Sequence, residues 1–101
     1  MKPVILHPEA QREFEESGDF YEREAGRPLA LRFVRHVRAT FTAIARNPER
    51  WRRVVEFPLV QKCRVARFPF FVYDVNRDAA IYVVAVAHDK RRPEYWAGRL
   101  E

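Results

Sequence analysis

Two apolar stripes of helical period lie back to back in the first half of this chain, and they leave little choice of fold. Ala10, Phe14, Ser17 and Tyr21 recur at spacings of four, three and four, and Ala30, Val34, Val37, Phe41 and Ile44 at four, three, four and three. Each spacing is that of one face of an α-helix. The first helix opens at His7-Pro8-Glu9, where proline suits the first helical position and an early glutamate suits the helix dipole, and it runs to about Glu24. Gly26 can end it in the left-handed conformation, Pro28 opens the second helix, and Asn47-Pro48 stops that one. With so tight a connection, residues 8–46 form an antiparallel helical hairpin. Neither helix can bury its stripe alone, so the second half of the chain must supply the cover.

That half reads as strands. Arg52 to Phe57 is a short edge strand, and Gln61 to Phe68 alternates, with Cys63, Val65 and Arg67 on one side and Arg64, Ala66 and Phe68 on the other. Pro69 interrupts, Phe70 to Val75 is aromatic and β-branched, and Asn76-Arg77-Asp78-Ala79 makes a hairpin turn. Ala80 to Ala87 is nearly all apolar, as a central strand covered on both faces would be. Pro3 to Leu6 is a first strand, and Arg91 to Trp96 is a loop leading to a short helical tail. The architecture expected is α+β: an N-terminal strand and a helical hairpin packed on a mostly antiparallel sheet of three or four strands, with a short C-terminal tail. All of it forms a single domain over residues 1–101, since a chain of this length has room for one core.

Composition narrows the function classes. Apolar residues make up 48% of the chain and aromatic ones 14%, which supports a packed core and excludes disorder. No apolar run approaches the roughly 18–20 residues of a membrane span. Met1 to Leu6 carries one lysine and no long apolar segment, so no signal peptide is expected. The single cysteine, Cys63, has no partner for an internal disulfide, which fits a reducing cytoplasm; it reads as a small strand residue rather than a nucleophile. No metal site and no cofactor are expected. The net charge of +5 is unevenly spread: residues 1–26 hold three basic and seven acidic side chains, residues 27–101 sixteen basic and seven acidic. Arginine dominates the basic part, and its planar fork suits phosphate or carboxylate. The partner is therefore nucleic acid or an acidic protein segment, and charge alone does not choose between them.

Three stretches carry a family resemblance in order: His7-Pro8-Glu9-Ala10 leading into the hairpin, Arg67-Phe68-Pro69-Phe70-Phe71-Val72-Tyr73 joining two strands, and Val84 to Trp96 carrying the last strand into the tail. Together they resemble the RelE/ParE toxin superfamily, the tail most closely its ParE-like or "plasmid stabilisation" members. The resemblance covers essentially the whole chain. It implies a compact α+β toxin, the toxin component of a type II toxin–antitoxin system, wrapped and neutralised by a cognate antitoxin. It implies contact with operator DNA only through that antitoxin. Two activities occur in the superfamily: cleavage of messenger RNA on the ribosome, and inhibition of DNA gyrase.

Metal-free RNA cleavage needs a base for the 2′-OH, a cation for the phosphorane and an acid for the leaving oxygen. By resemblance, Arg64 sits where a strand lysine is expected, Lys90 or Arg91 where an arginine follows the last strand, and Tyr95 where a C-terminal tyrosine stands. Ala66 and Phe70 or Phe71 stand where a second lysine and a phosphate-binding arginine are expected, so the general-base lysines are missing. Arginine, with a pKa above about 12, is a poor base. His88 either titrates near neutral pH or simply holds a strand end by a hydrogen bond. The depletion favours gyrase inhibition over ribosome-dependent endoribonuclease activity, with a non-toxic antitoxin-binding relative as the remaining reading.

The surface residues expected to meet a partner are Arg52, Arg53, Arg64, Arg67, His88, Arg92 and Trp96. Trp96 has the alternative of packing back on the sheet edge, and Trp51 of closing the open end of the hairpin. Glu13, Glu16 and Glu24 are expected to pair with arginines of the second helix.

Overall fold

The computed structural model describes residues 1–92 and 94–100; Pro93, which belongs to the last of the three stretches, and Glu101 lie outside the described residues. In chain order the elements are β1 (Val4–Leu6), α1 (Pro8–Ala25), α2 (Arg27–Arg46), β2 (Arg52–Val54), β3 (Phe57–Arg64), β4 (Phe70–Asn76), β5 (Ile81–His88) and a 3-10 turn at Ala97–Leu100. The helices begin and end for local reasons. His7 caps α1, its Nδ1 accepting the Glu9 N–H at 3.0 Å. Gly26, at φ 91° and ψ 165°, is the whole connection between α1 and α2. That region of backbone space is open to glycine almost alone.

The sheet has five strands in the order β1-β5-β4-β3-β2. It exceeds the expected three or four because β1 joins it, parallel to β5, with Val4 opposite Ile81 and Leu6 opposite Val83. The other pairings are antiparallel. Two strand boundaries also differ from expectation. β2 stops at Val54, and Phe57 already opens β3, which ends at Arg64 rather than Phe68. The early end has a packing cause: Phe68 turns inward against Phe33, ring centroids 5.3 Å apart. Arg67 takes a positive φ of 67° to allow it.

α1 and α2 cover one face of this sheet. Phe33, fully buried, sits among Phe14, Tyr21, Phe68 and Phe70, with ring centroids 4.9 to 6.2 Å away. Val37 and Ile44 extend this core along α2 over Cys63, Val72 and Val83. The reverse face carries a second, smaller core of Val54, Val60, Val75, Val84, Ala85 and Trp96. β5 serves both. Its pairing with β4 slips between Tyr73 and Asp74, so Val84 is an extra residue opposite no partner. Ile81, Val83 and Val86 consequently face the helices while Val84 and Ala85 both face the other way.

Candidate functional site

Strand alternation aims Lys62 and Arg64 of β3, and Phe71 and Tyr73 of β4, at the reverse face. Arg64 stands opposite Phe71, and Lys62 opposite Tyr73. The Lys62 Nζ lies 4.5 Å from the Phe71 ring centre and the Arg64 guanidinium carbon 5.3 Å from it, so two cations share one aromatic ring. Arg64 also reaches Asp89, Nη2 to Oδ2 3.3 Å. Exposure of that pair limits its worth to about 0–1 kcal/mol. Beside these residues runs a groove of about 450 Å³, lined by Arg52, Lys62, Phe71, Tyr73, Asp89 and Arg91 among others.

The candidates read from the sequence divide over this geometry. Arg52 and Arg91 line the groove, Arg64 stands beside it over Phe71 and on Asp89, and Arg53 lines it with its guanidinium on Pro58 O (2.9 Å) and Glu49 (3.2 Å). Lys62 is a site residue that the sequence reading missed, although two-residue alternation back from Arg64 points straight to it. Arg67 does not share a strand with Arg64, because β3 has already ended. His88 accepts the Lys90 backbone N–H at 3.1 Å and lies edge-on to Phe70, so it holds the turn after β5. Lys90 and Arg92 are exposed on that turn. Trp96, expected at a partner contact, is only 1% exposed and packs on Tyr73 and Phe57, with centroids 5.0 and 5.4 Å away. It belongs to the reverse-face core, because an indole offered an apolar sheet buries there.

The expected pairing of Glu13 with α2 is corrected by a more informative set of contacts. Glu13 reaches past the edge of the sheet. Its carboxylate accepts the Val86 N–H at 3.0 Å, the Tyr95 hydroxyl at 2.7 Å and Arg99 Nη2 at 2.9 Å. Arg99 in turn donates from Nη1 to Val84 O at 3.0 Å. β1 stops at Leu6, so the bulged edge of β5 beyond Val83 has no strand beside it. Two side chains supply the hydrogen bonds that a strand would have made. Among the described residues, the only ion pair between the two helices is Arg27–Glu22 at 3.6 Å, beside the turn. Glu16 and Glu24 make none.

This clasp fixes the chemistry of Tyr95. Burial first, and the Glu13 hydrogen bond second, hold its hydroxyl far above the ordinary phenol range. Its proton stays on and points at Glu13, not into the groove. Arg91 lies 3.8 Å from the centre of the Tyr95 ring, which ties the basic rim of the groove to the tail.

Two further polar groups lie under the helices. Asp74 is fully buried; burial pushes its carboxyl up to about 7, against the lowering effects of Gln61 and Arg53. Gln61, itself 1% exposed, donates to Asp74 Oδ2 (3.4 Å) and Pro48 O and accepts the Trp51 N–H (3.1 Å), which anchors the loop between α2 and β2. Burial, then the nearby Asp74, push the Cys63 thiol up to about 11, so it is a core atom and no nucleophile. Among the described residues, no group of three or more His, Cys, Asp or Glu is placed to hold a metal ion. No helix among them is long and apolar enough to cross a membrane.

Against known proteins, residues 4–93 match the family described as the ParE toxin of the type II toxin–antitoxin system parDE. Among solved structures, a chain of the chromosomal ParDE toxin–antitoxin system from P. aeruginosa superposes with a TM-score of 0.77 at 18% identity, covering 87% of this chain and 96% of that one. At that identity the likeness speaks for the fold. No curated protein matches the sequence at a significant level.

Proposed function

We propose, from the premise that this chain belongs to the ParE toxin family of type II toxin–antitoxin systems, that it inhibits DNA gyrase by binding it and is neutralised by a cognate antitoxin. The observation that carries the binding reading over a cleaving one is the state of Tyr95. The groove offers Lys62 and Arg91 as cations, with Arg64 beside it over Phe71, but the hydroxyl that would act as acid on a leaving oxygen is held by Glu13 at 2.7 Å. A cationic, aromatic face without an acid suits adhesion to an acidic or phosphate-bearing surface. The antitoxin would bring acidic side chains to Arg52, Arg53 and Arg64 of β2 and β3 and to Arg67 in the connection that follows. Reversing two of them to glutamate should weaken the toxin–antitoxin complex; an unchanged affinity removes that placement.

The test of the target is induced expression in a bacterium, scoring viable count, DNA breaks and message integrity in one culture. Gyrase inhibition predicts a fall in count with DNA breaks and intact messages. Cleaved messages would overturn it in favour of a second reading, the metal-independent endoribonuclease. Lys62 is what keeps that reading open, since it puts a lysine on the strand face that Ala66 left empty. Normal growth with folded protein present would leave a relative that only binds antitoxin.

A further inference from the structure

We propose that the outer face of the helical hairpin is a self-complementary surface on which two copies of this chain associate. The face is a groove of about 330 Å³ between α1 and α2, with Phe14, Gly18, Ala30, Leu31 and Val34 along its floor. Leu31 is 44% exposed there. A methyl group added to Gly18 would sit 3.8 Å from Val34, so the two helices stand level at that point. Both helices are long enough for a shared bundle: at about 1.5 Å per residue, 18 and 20 residues make rods of roughly 27 and 30 Å.

Charge decides the occupant. The α1 wall carries Glu15, Asp19 and Glu22, and the α2 wall Arg27 and Arg38, with Arg35 one step further out. The walls do not neutralise one another within the chain: among the described residues only Arg27 and Glu22 pair, at the turn. A twofold axis running along the groove, parallel to the helices, lays α1 of one copy over α2 of the other. From the Gly18–Val34 level, Glu15 then faces the region of Arg38, and Asp19 that of Arg35, on both sides of the axis. A twofold axis across the helices would set acid against acid. One geometry is therefore attractive at both seams, and the chain itself carries the complement. Two helices per copy make a small interface, so the association is weak and depends on concentration.

The test is sedimentation velocity of the purified full chain over a wide range of concentration, at low and high salt. Growth of a dimer with concentration, reduced by salt, is expected. Glu15→Lys with Asp19→Lys, and separately Arg35→Glu with Arg38→Glu, should each weaken association by about tenfold or more, while circular dichroism stays unchanged. Mixing the two variants in equal amounts should restore the dimer, because both seams of the mixed pair regain opposite charges. A monomer at every concentration overturns the proposal, as does a mixture that fails to recover. If the unaltered chain is monomeric and the same variants instead lose antitoxin binding, the groove belongs to a helix of the partner and the second copy is excluded.

Discussion

The two faces of the sheet are covered by different means. On the helix side, two long amphipathic helices press a continuous aromatic core onto β3, β4 and β5, with Phe33 at its centre. On the reverse side, a few residues of tail are held by one indole and by the bonds that Glu13 and Arg99 make with β5 and Tyr95. The first cover rests on apolar area, which is non-directional and tolerant of small shifts. The second rests on geometry, and the removal of one carboxylate undoes several contacts at once. The groove that is the candidate functional site lies on the second side, so the less redundant cover adjoins the region expected to meet a partner.

Breaking the stronger side should cost most. Phe33→Ala removes a fully buried ring packed on four others and should destabilise the fold by about 3–5 kcal/mol, read as a fall in the denaturant midpoint. Trp96→Ala deletes an equally buried side chain, yet the tail can lift away rather than leave a sealed cavity. A loss of about 2–3 kcal/mol is expected there, with amide exchange accelerated over β5 and the tail but not over α2. Exchange rising equally in both helices would mean that the two faces form one cooperative unit. Glu13→Gln keeps the shape and loses the charge-assisted bonds; about 1–3 kcal/mol is expected, together with a Tyr95 hydroxyl that titrates closer to the ordinary phenol range. An unmoved Tyr95 titration would show that burial alone sets its value.

The last expected change is one of slope. The folded Asp74 carboxyl holds its proton up to about 7, whereas an unfolded one releases it near 3.8. Between those values the unfolded state binds fewer protons, so stability attributable to this group falls as pH rises and then levels off. Asp74→Asn should flatten the stability-versus-pH curve over that window. Denaturant melts at several pH values check it, and an unchanged slope would place the titration elsewhere.

Much of this contrast is legible in residue order, and the illegible part has a common cause. The stripes through Phe14 and Val37, the Gly26 break and the apolar run of β5 are local patterns, and they predict the helix side closely. The reverse side defeats the same reading at Glu13 and Trp96. Glu13 flanks the stripe of α1, and its partners lie 73 to 86 residues away in sequence, at Val86, Tyr95 and Arg99. A carboxylate at that position looks like any solvated charge on a helix until folding brings the unpaired edge of β5 alongside it. Trp96 beside Arg91 and Arg92 suits either a partner contact or a place on the sheet edge, and residue order does not choose between them until Tyr73 and Phe57 come together as a face for it. Lys62 lies within the alternation that begins at Gln61, two residues before Arg64, and escapes notice because the family resemblance directs attention forward from Arg64 to Ala66 instead.

Sequence by itself determined the helical hairpin, the strand-rich half that covers it, the uneven basic charge and the family to which these belong. Periodicity and turn residues act within a few positions of themselves, so order along the chain is enough to read them. Only the tertiary structure decided that β1 joins the sheet beside β5, that β5 bulges at Val84, and that Glu13, Tyr95 and Arg99 close the edge left open there. Those outcomes depend on which backbone hydrogen bonds remain unmet after the strands have paired, and no residue carries that information before its distant neighbours are in place.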